Sequence, residues 1–99
     1  MIKVRILKTK DIDGVIISGH ANYDVIGKDI VCSSVSSIVI TTVNGIHLID
    51  NEYLSIIEEK DKLTLTINKE NDTCMKLIKN MLSLLSELEE QYPKNLSVK

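Results

Sequence analysis

The chain places one histidine and one cysteine close together in the segment GHANYDVIGKDIVCSS, residues 19–34. They are His20 and Cys32, and the chain has two residues of each type. A cysteine beside an imidazole can perform nucleophilic catalysis, because the imidazole takes the thiol proton and later protonates a leaving amine. The segment therefore predicts a catalytic pair, part of a metal site, or two packing residues near a bend.

The expected position of Cys32 in a helix suits catalysis. Asp29 is a natural N-cap for a helix that begins at Ile30, which puts Cys32 in the first turn. There, unpaired backbone N–H groups and the positive end of the helix dipole favour a thiolate and can bind a developing oxyanion. The negative charge of Asp29 opposes part of this effect. Gly19 and Gly27 permit close approach and motion on either side of the loop.

Residue types and spacing alone leave the alternatives open, and they favour packing over chemistry because short motifs often match by accident. A structural zinc site needs more ligands than His20, Cys32 and one aspartate supply, so no metal and no cofactor are expected. Cys74 lies in an apolar helical stripe and is expected in the core. His47 follows the predicted first helix without an acidic or thiol neighbour, and is expected to be a surface or packing residue.

Small hydroxyl residues follow Cys32 in the sequence. They are Ser33, Ser34, Ser36 and Ser37. We expect them to let backbone or substrate approach closely rather than to act as nucleophiles. Ser36 lies one helical turn beyond Cys32, so it is expected to line the same pocket.

Composition indicates the class of protein. Ninety-nine residues with 43% hydrophobic content predict one domain, residues 1–99, and three Tyr with no Phe or Trp predict an aliphatic core. A net charge of −2 argues against binding to nucleic acid or to a membrane surface. No apolar run reaches the roughly 18 residues of a membrane span, and two cysteines do not make a disulfide framework. A reduced, cytoplasmic protein is expected.

Hydrophobic periodicity predicts the first three elements. Residues 2–7 and the run GVIISGHA predict two strands, with Asp13-Gly14 as a hairpin signal and a turn over residues 10–14. A helical apolar face that begins at Val31 then predicts the first helix, although its β-branched residues favour a strand by propensity. Asn44-Gly45 is expected to end this helix.

The second half of the chain predicts two more strands, a helix and a final strand. YLSIIEE and KLTLTIN form strands joined around Lys60-Asp61. Residues 71–73 can cap a helix whose apolar stripe runs from Cys74 to Tyr92, and Pro93 stops it. The tail NLSVK can add a last strand. The fold class is therefore α+β, in the order β-β-α-β-β-α-β, with a mostly antiparallel five-stranded sheet and two helices on one face.

The segments GHA (19–21) and DIVCSSVSS (29–37) resemble the two signature motifs of the Prp family, the ribosomal-processing cysteine proteases of bacteria. Those motifs run approximately Gly-His-Ala, a short loop with a glycine, and Asp-(Ile/Leu)-Val-Cys-Ala-x-Val-(Ser/Thr). The motifs stand in the right order with a matching interval, and the resemblance covers nearly the whole chain.

The resemblance implies a homodimeric cysteine endopeptidase that removes the N-terminal extension of ribosomal large-subunit protein L-twenty-seven. It implies a cleft between the first helix and the second strand, with Cys32 as nucleophile and His20 as base and acid. Asp29 and Ser36 match the aspartate and the small hydroxyl residue of the family. A loop over the cleft is expected to move when substrate enters. Its residues include Asn22, Tyr23, Asp24 and Gly27.

Two departures from the family pattern bear on substrate fit rather than on reaction class. Ser33 replaces the usual alanine, and its hydroxyl is expected either to donate to the pocket or to be solvated. The sequence EEKDK, residues 58–62, replaces the glycines often found between the third and fourth strands. Two alternatives remain: a non-catalytic binding module for a ribosomal protein, and a metal-binding protein. The acidic composition and the complete dyad favour the protease.

Overall fold

The seven elements occur in the predicted order in the computed structural model, which describes residues 1–19 and 30–99. They are β1 (Ile2–Lys8), β2 (Ile12–Gly19), α1 (Ile30–Ile49), β3 (Leu54–Glu59), β4 (Lys62–Ile67), α2 (Asp72–Gln91) and β5 (Leu96–Val98). The strands form one sheet in the order β3-β4-β2-β1-β5. Every neighbouring pair is antiparallel except β1 with β5, which is parallel. The predicted α+β fold is confirmed, with a mixed sheet.

One hydrophobic core lies between the sheet and the two helices. Alternate strand residues such as Ile2, Val4 and Leu65 point into it and are almost fully buried. Each helix adds one buried stripe: Val31, Val35, Val39 and Ile46 from α1, and Cys74, Ile78, Met81, Leu82 and Leu85 from α2. Tyr53 is also fully buried, so the prediction of a purely aliphatic core was wrong.

The first helix is longer than predicted. It continues through Asn44 and Gly45 to Ile49, so the expected end at Asn44-Gly45 was wrong. Ile46 is fully buried, and burying such a side chain contributes about 1.5–3 kcal/mol, more than the roughly 1 kcal/mol that glycine costs inside a helix. His47 therefore lies in the last turn of α1 rather than after it, and it is exposed as expected.

By length and composition, α1 could cross a membrane, since its mean hydropathy is 1.4. Core helices of soluble proteins meet the same criterion. In this fold the apolar stripe of α1 packs into the common core together with α2 and the sheet.

The first hairpin turns earlier than predicted. β2 begins at Ile12, so the chain turns at residues 9–11, and the predicted turn over residues 10–14 was wrong. Asp13 and Gly14 lie inside β2, where Gly14 pairs with Thr66 of β4. A Cβ at Gly14 would lie 2.5 Å from the carbonyl oxygen of Leu65. Glycine is therefore required here for close strand approach rather than for a turn.

The second helix is capped by one of the residues predicted to do so. The side chain of Asn71 accepts a hydrogen bond from the Cys74 N–H at 3.1 Å. Asn71 also donates to Asp50 at 3.3 Å, and Lys69 Nζ lies 3.2 Å from the same carboxylate. Asp50 further accepts the Glu52 N–H at 3.1 Å. The pKa of Asp50 is lowered, above all by the hydrogen bond from the Glu52 N–H. Desolvation opposes this shift, and the contacts with Lys69 and Asn71 add to it.

This lowered pKa predicts a loss of stability in acid. Because the pKa of Asp50 in the folded chain lies below its ordinary value of 3.8, the carboxylate stabilises the fold above that value. The contribution disappears as the pH falls through the folded pKa. We expect Asp50→Asn to be less stable than wild type at neutral pH, and the difference in unfolding free energy to narrow towards pH 2. Urea denaturation at several pH values measures it.

Asp13→Asn is the matched control, because Asp13 is an exposed residue of β2. A difference between wild type and Asp50→Asn that stays constant from neutral pH to pH 2 would contradict this role of Asp50.

Candidate active site

A cleft of about 290 Å³ opens between the first half of α1 and the end of β2. Cys32 and Ser36 line it from the helix, and Gly19 lines it from the strand. The hairpin between β3 and β4 forms a further wall. The cleft therefore lies where the resemblance predicted it.

The rotation of α1 directs Cys32 into this cleft. Val31 and Val35, which precede and follow Cys32 in the sequence, are buried, and their burial orients the helix. Cys32 is half-buried at the edge of this buried face of α1. As predicted, Cys32 lies in the first turn, where backbone N–H groups have no partner within the helix. Ser36 follows one turn later on the same side, and both line the cleft.

Ser33 lies elsewhere. It is exposed and lines a groove between α1 and α2, together with Leu84 and Leu88. Successive residues of a helix are about 100° apart, so Ser33 and Cys32 point in different directions. The cleft is lined by Cys32 and not by Ser33.

Gly19 joins the end of β2 to the β3–β4 hairpin. Its N–H donates to the carbonyl oxygen of Asp61 at 3.0 Å. Its φ is +84°, a conformation that favours glycine, and a Cβ there would collide with the carbonyl oxygen of Met1. His20, the next residue, and Asp29 lie outside the described residues. The predicted loop residues Asn22, Tyr23, Asp24 and Gly27 also lie outside them.

The β3–β4 hairpin contributes residues to the cleft that the sequence interpretation did not assign to it. Glu59 pairs with Lys62, so the connection consists of Lys60 and Asp61 alone. Asp61 has a φ of +61°, which aspartate tolerates better than most residues. Glu58, Glu59, Asp61 and Lys62 all line the cleft. The only sign of this in the sequence was the charged segment EEKDK in place of glycines.

The other cysteine has a structural environment. Cys74 is fully buried in α2, as predicted, and burial raises the pKa of its thiol. Among residues 1–19 and 30–99, no group of three His, Cys, Asp or Glu side chains is placed to hold a metal ion.

A half-buried cysteine in the first turn of a helix, lining a cleft, is positioned to act as a nucleophile on a bound peptide. The model of the cysteine protease Prp family matches residues 1–97, and the chain belongs to this family. The chain is thus a cysteine protease, as the resemblance predicted.

Relatives of known name and structure agree. The chain is 29% identical over 85 residues to the ribosomal processing cysteine protease Prp of Staphylococcus aureus, which covers 83% of this chain and 80% of that one. Its fold is similar to that of an S. aureus Prp crystallised with a covalently linked product peptide (TM-score 0.91, 29% identity, full coverage of both chains). It is also similar to S. aureus Prp with a substrate peptide (TM-score 0.87, 27% identity, coverage of 100% and 98%).

Proposed function

We propose that the chain is a cytoplasmic endopeptidase that removes the N-terminal extension of ribosomal protein L-twenty-seven and so supports ribosome assembly. The position of Cys32, in the first turn of α1 and facing the cleft, carries this proposal. The names of the S. aureus relatives support a ribosomal substrate. The product peptide covalently linked in one relative supports a covalent step.

In the proposed mechanism, His20 takes the proton of Cys32, and the sulfur attacks the scissile carbonyl carbon. Backbone N–H groups at the start of α1 bind the oxyanion that forms. The oxyanion collapses, the C–N bond breaks, and His20 gives its proton to the leaving amine. His20 then takes a proton from water, and the water oxygen attacks the thioester carbon. The C–S bond breaks, His20 returns the proton to the Cys32 sulfur, and the carboxylic acid leaves. These steps involve no metal and no organic cofactor.

The remaining roles complete the proposal. The dyad or the peptide is positioned by Gly19, Asp29 and Ser36. Ser33 supports the first turn of α1, which contains Cys32. The loop of residues 22–28 covers the bound peptide. The active form is a homodimer. Its second copy covers apolar residues that α1 exposes, of which Leu48 is 90% exposed. Neither nucleic acid nor a membrane is a direct partner.

The test is incubation of the protein with a peptide spanning the extension, followed by mass spectrometry of the products. We expect one cut in the wild type and a loss of about 10²–10⁴-fold in rate for His20→Ala, because the general base is removed. Intact peptide with folded wild-type protein would overturn the proposal. If that peptide nevertheless binds, the non-catalytic binding module becomes the better description.

A further inference from the structure

We propose that Glu58 makes the cleft select a peptide with a basic side chain near the scissile bond. This inference rests on the proposed function, because it names a property of the peptide that Cys32 would cleave. It concerns the β3–β4 hairpin, which lies far from Cys32 in the sequence and lines the same cleft.

Strand alternation places the Glu58 side chain on the helix-facing side of the sheet. Side chains in a strand alternate between its two faces. Leu54 is buried in the core, so Leu54, Ile56 and Glu58 share the face that the helices cover. Leu63, the residue that Glu58 pairs with on β4, also lines the cleft. The carboxylate of Glu58 is therefore on the same side of the sheet as Cys32.

Glu58 and Glu59 differ in the residue that lies opposite each of them on β4. Glu59 lies opposite Lys62 across the hairpin, so a cationic residue neighbours it. Glu58 instead lies opposite the apolar Leu63. Within residues 1–19 and 30–99, its side chain forms no hydrogen bond and no ion pair. It is exposed, so its negative charge is available to a bound peptide.

The charges around the cleft add to this effect. Glu58, Glu59 and Asp61 contribute three carboxylates to the described lining, and Lys62 contributes one ammonium group. Their formal sum of −2 equals the net charge of the whole chain. Apolar residues such as Ile17 and Val39 line the same cleft. A peptide that combines apolar residues with a lysine or arginine fits this lining, whereas an acidic residue near Glu58 is repelled.

The hairpin holds these charges in a defined place. The hydrogen bond from the Gly19 N–H to the Asp61 carbonyl oxygen joins its tip to the end of β2. The residue after Gly19 is His20. The hairpin backbone is thus anchored one residue from His20, which keeps the Cα of Glu58 at a fixed place beside the cleft.

The test uses a peptide that the wild type cleaves, with lysine, glutamine or glutamate placed at each flanking position in turn. At one position we expect kcat/KM to fall in the order lysine, glutamine, glutamate, by about 3–10-fold per step at low salt. The preference should weaken at high salt, because exposed charges are screened. Glu58→Gln should weaken the preference and Glu58→Lys should remove it, while Glu59 and Asp61 remain in the lining.

Glu90→Lys is the matched control, since it makes the same change of charge at an exposed residue of α2 that does not line the cleft. The wild-type order should survive in this variant. Cleavage by the wild type without any charge preference would overturn the role of Glu58 and leave the proposed function intact. A change of preference in Glu90→Lys as large as that in Glu58→Lys would also overturn it. Absence of cleavage of every peptide would overturn the proposed function, and this inference with it.

Discussion

Cys32→Ser is expected to lower kcat/KM for the processed peptide by about 10³–10⁴-fold, because a serine hydroxyl is a much poorer nucleophile in a site built for sulfur. The substitution changes one atom of a half-buried side chain, so the fold and its stability should be almost unchanged. Mass spectrometry of the peptide products and urea denaturation of the same samples separate catalysis from folding.

The second cysteine provides the control for this prediction. Cys74 is fully buried and its pKa is raised, so Cys74→Ala should lose some stability and keep its cleavage activity. Iodoacetamide should modify Cys32 before Cys74 and stop cleavage as it does so, because the Cys32 side chain is partly exposed. Retained cleavage in Cys32→Ser would contradict its role as the nucleophile.

Gly19→Ala is expected to destabilise the fold by about 2–3 kcal/mol, because the backbone at this residue has a left-handed conformation that strains a residue with a Cβ. The φ of Gly19 is +84°, and its Cβ would collide with the Met1 carbonyl oxygen in the neighbouring strand region. Relief of that collision would shift the end of β2, and the hydrogen bond to Asp61 with it. Cleavage should therefore fall even where the variant remains folded.

Gly45→Ala is the matched control, since it adds the same methyl group. Gly45 lies inside α1, and a Cβ there would have no heavy atom within 4 Å. We expect this variant to be more stable than wild type by about 0.5–1 kcal/mol, because alanine is the better helix former. The midpoints of urea denaturation compare the two variants. If Gly19→Ala and Gly45→Ala both lose stability, or if neither does, the left-handed conformation of Gly19 does not make that position intolerant of a Cβ.

Hydrophobic periodicity was sufficient to predict the order of the elements, because the repeat of apolar residues follows the geometry of each element. The cap at Asn71 was also predictable, because a cap depends only on local sequence: its partner Cys74 lies three residues away. Glycine-containing dipeptides were less reliable indicators of turns and helix ends. Asp13-Gly14 and Asn44-Gly45 both resemble turns, yet pairing with β4 holds the first in a strand, and burial of Ile46 holds the second in a helix.

The burial of Tyr53 also could not be predicted from the local sequence pattern. Tyr53 is fully buried whereas Tyr92 is half-buried, and nothing in the residues beside Tyr53 in the sequence predicts this difference. Its surroundings are made by segments that are distant in the sequence.

The sequence by itself determined that Cys32 lies in the first turn of a helix and that Ser36 follows it on the same side, because both depend on spacing within one element. The family motifs identified the protease class for a similar reason, since they lie within residues 19–37. Only the tertiary structure decided that the β3–β4 hairpin lines the cleft and that Glu58 lies on the helix-facing side of the sheet. Those facts depend on the order and register of the strands, which arise from contacts between residues far apart in the chain.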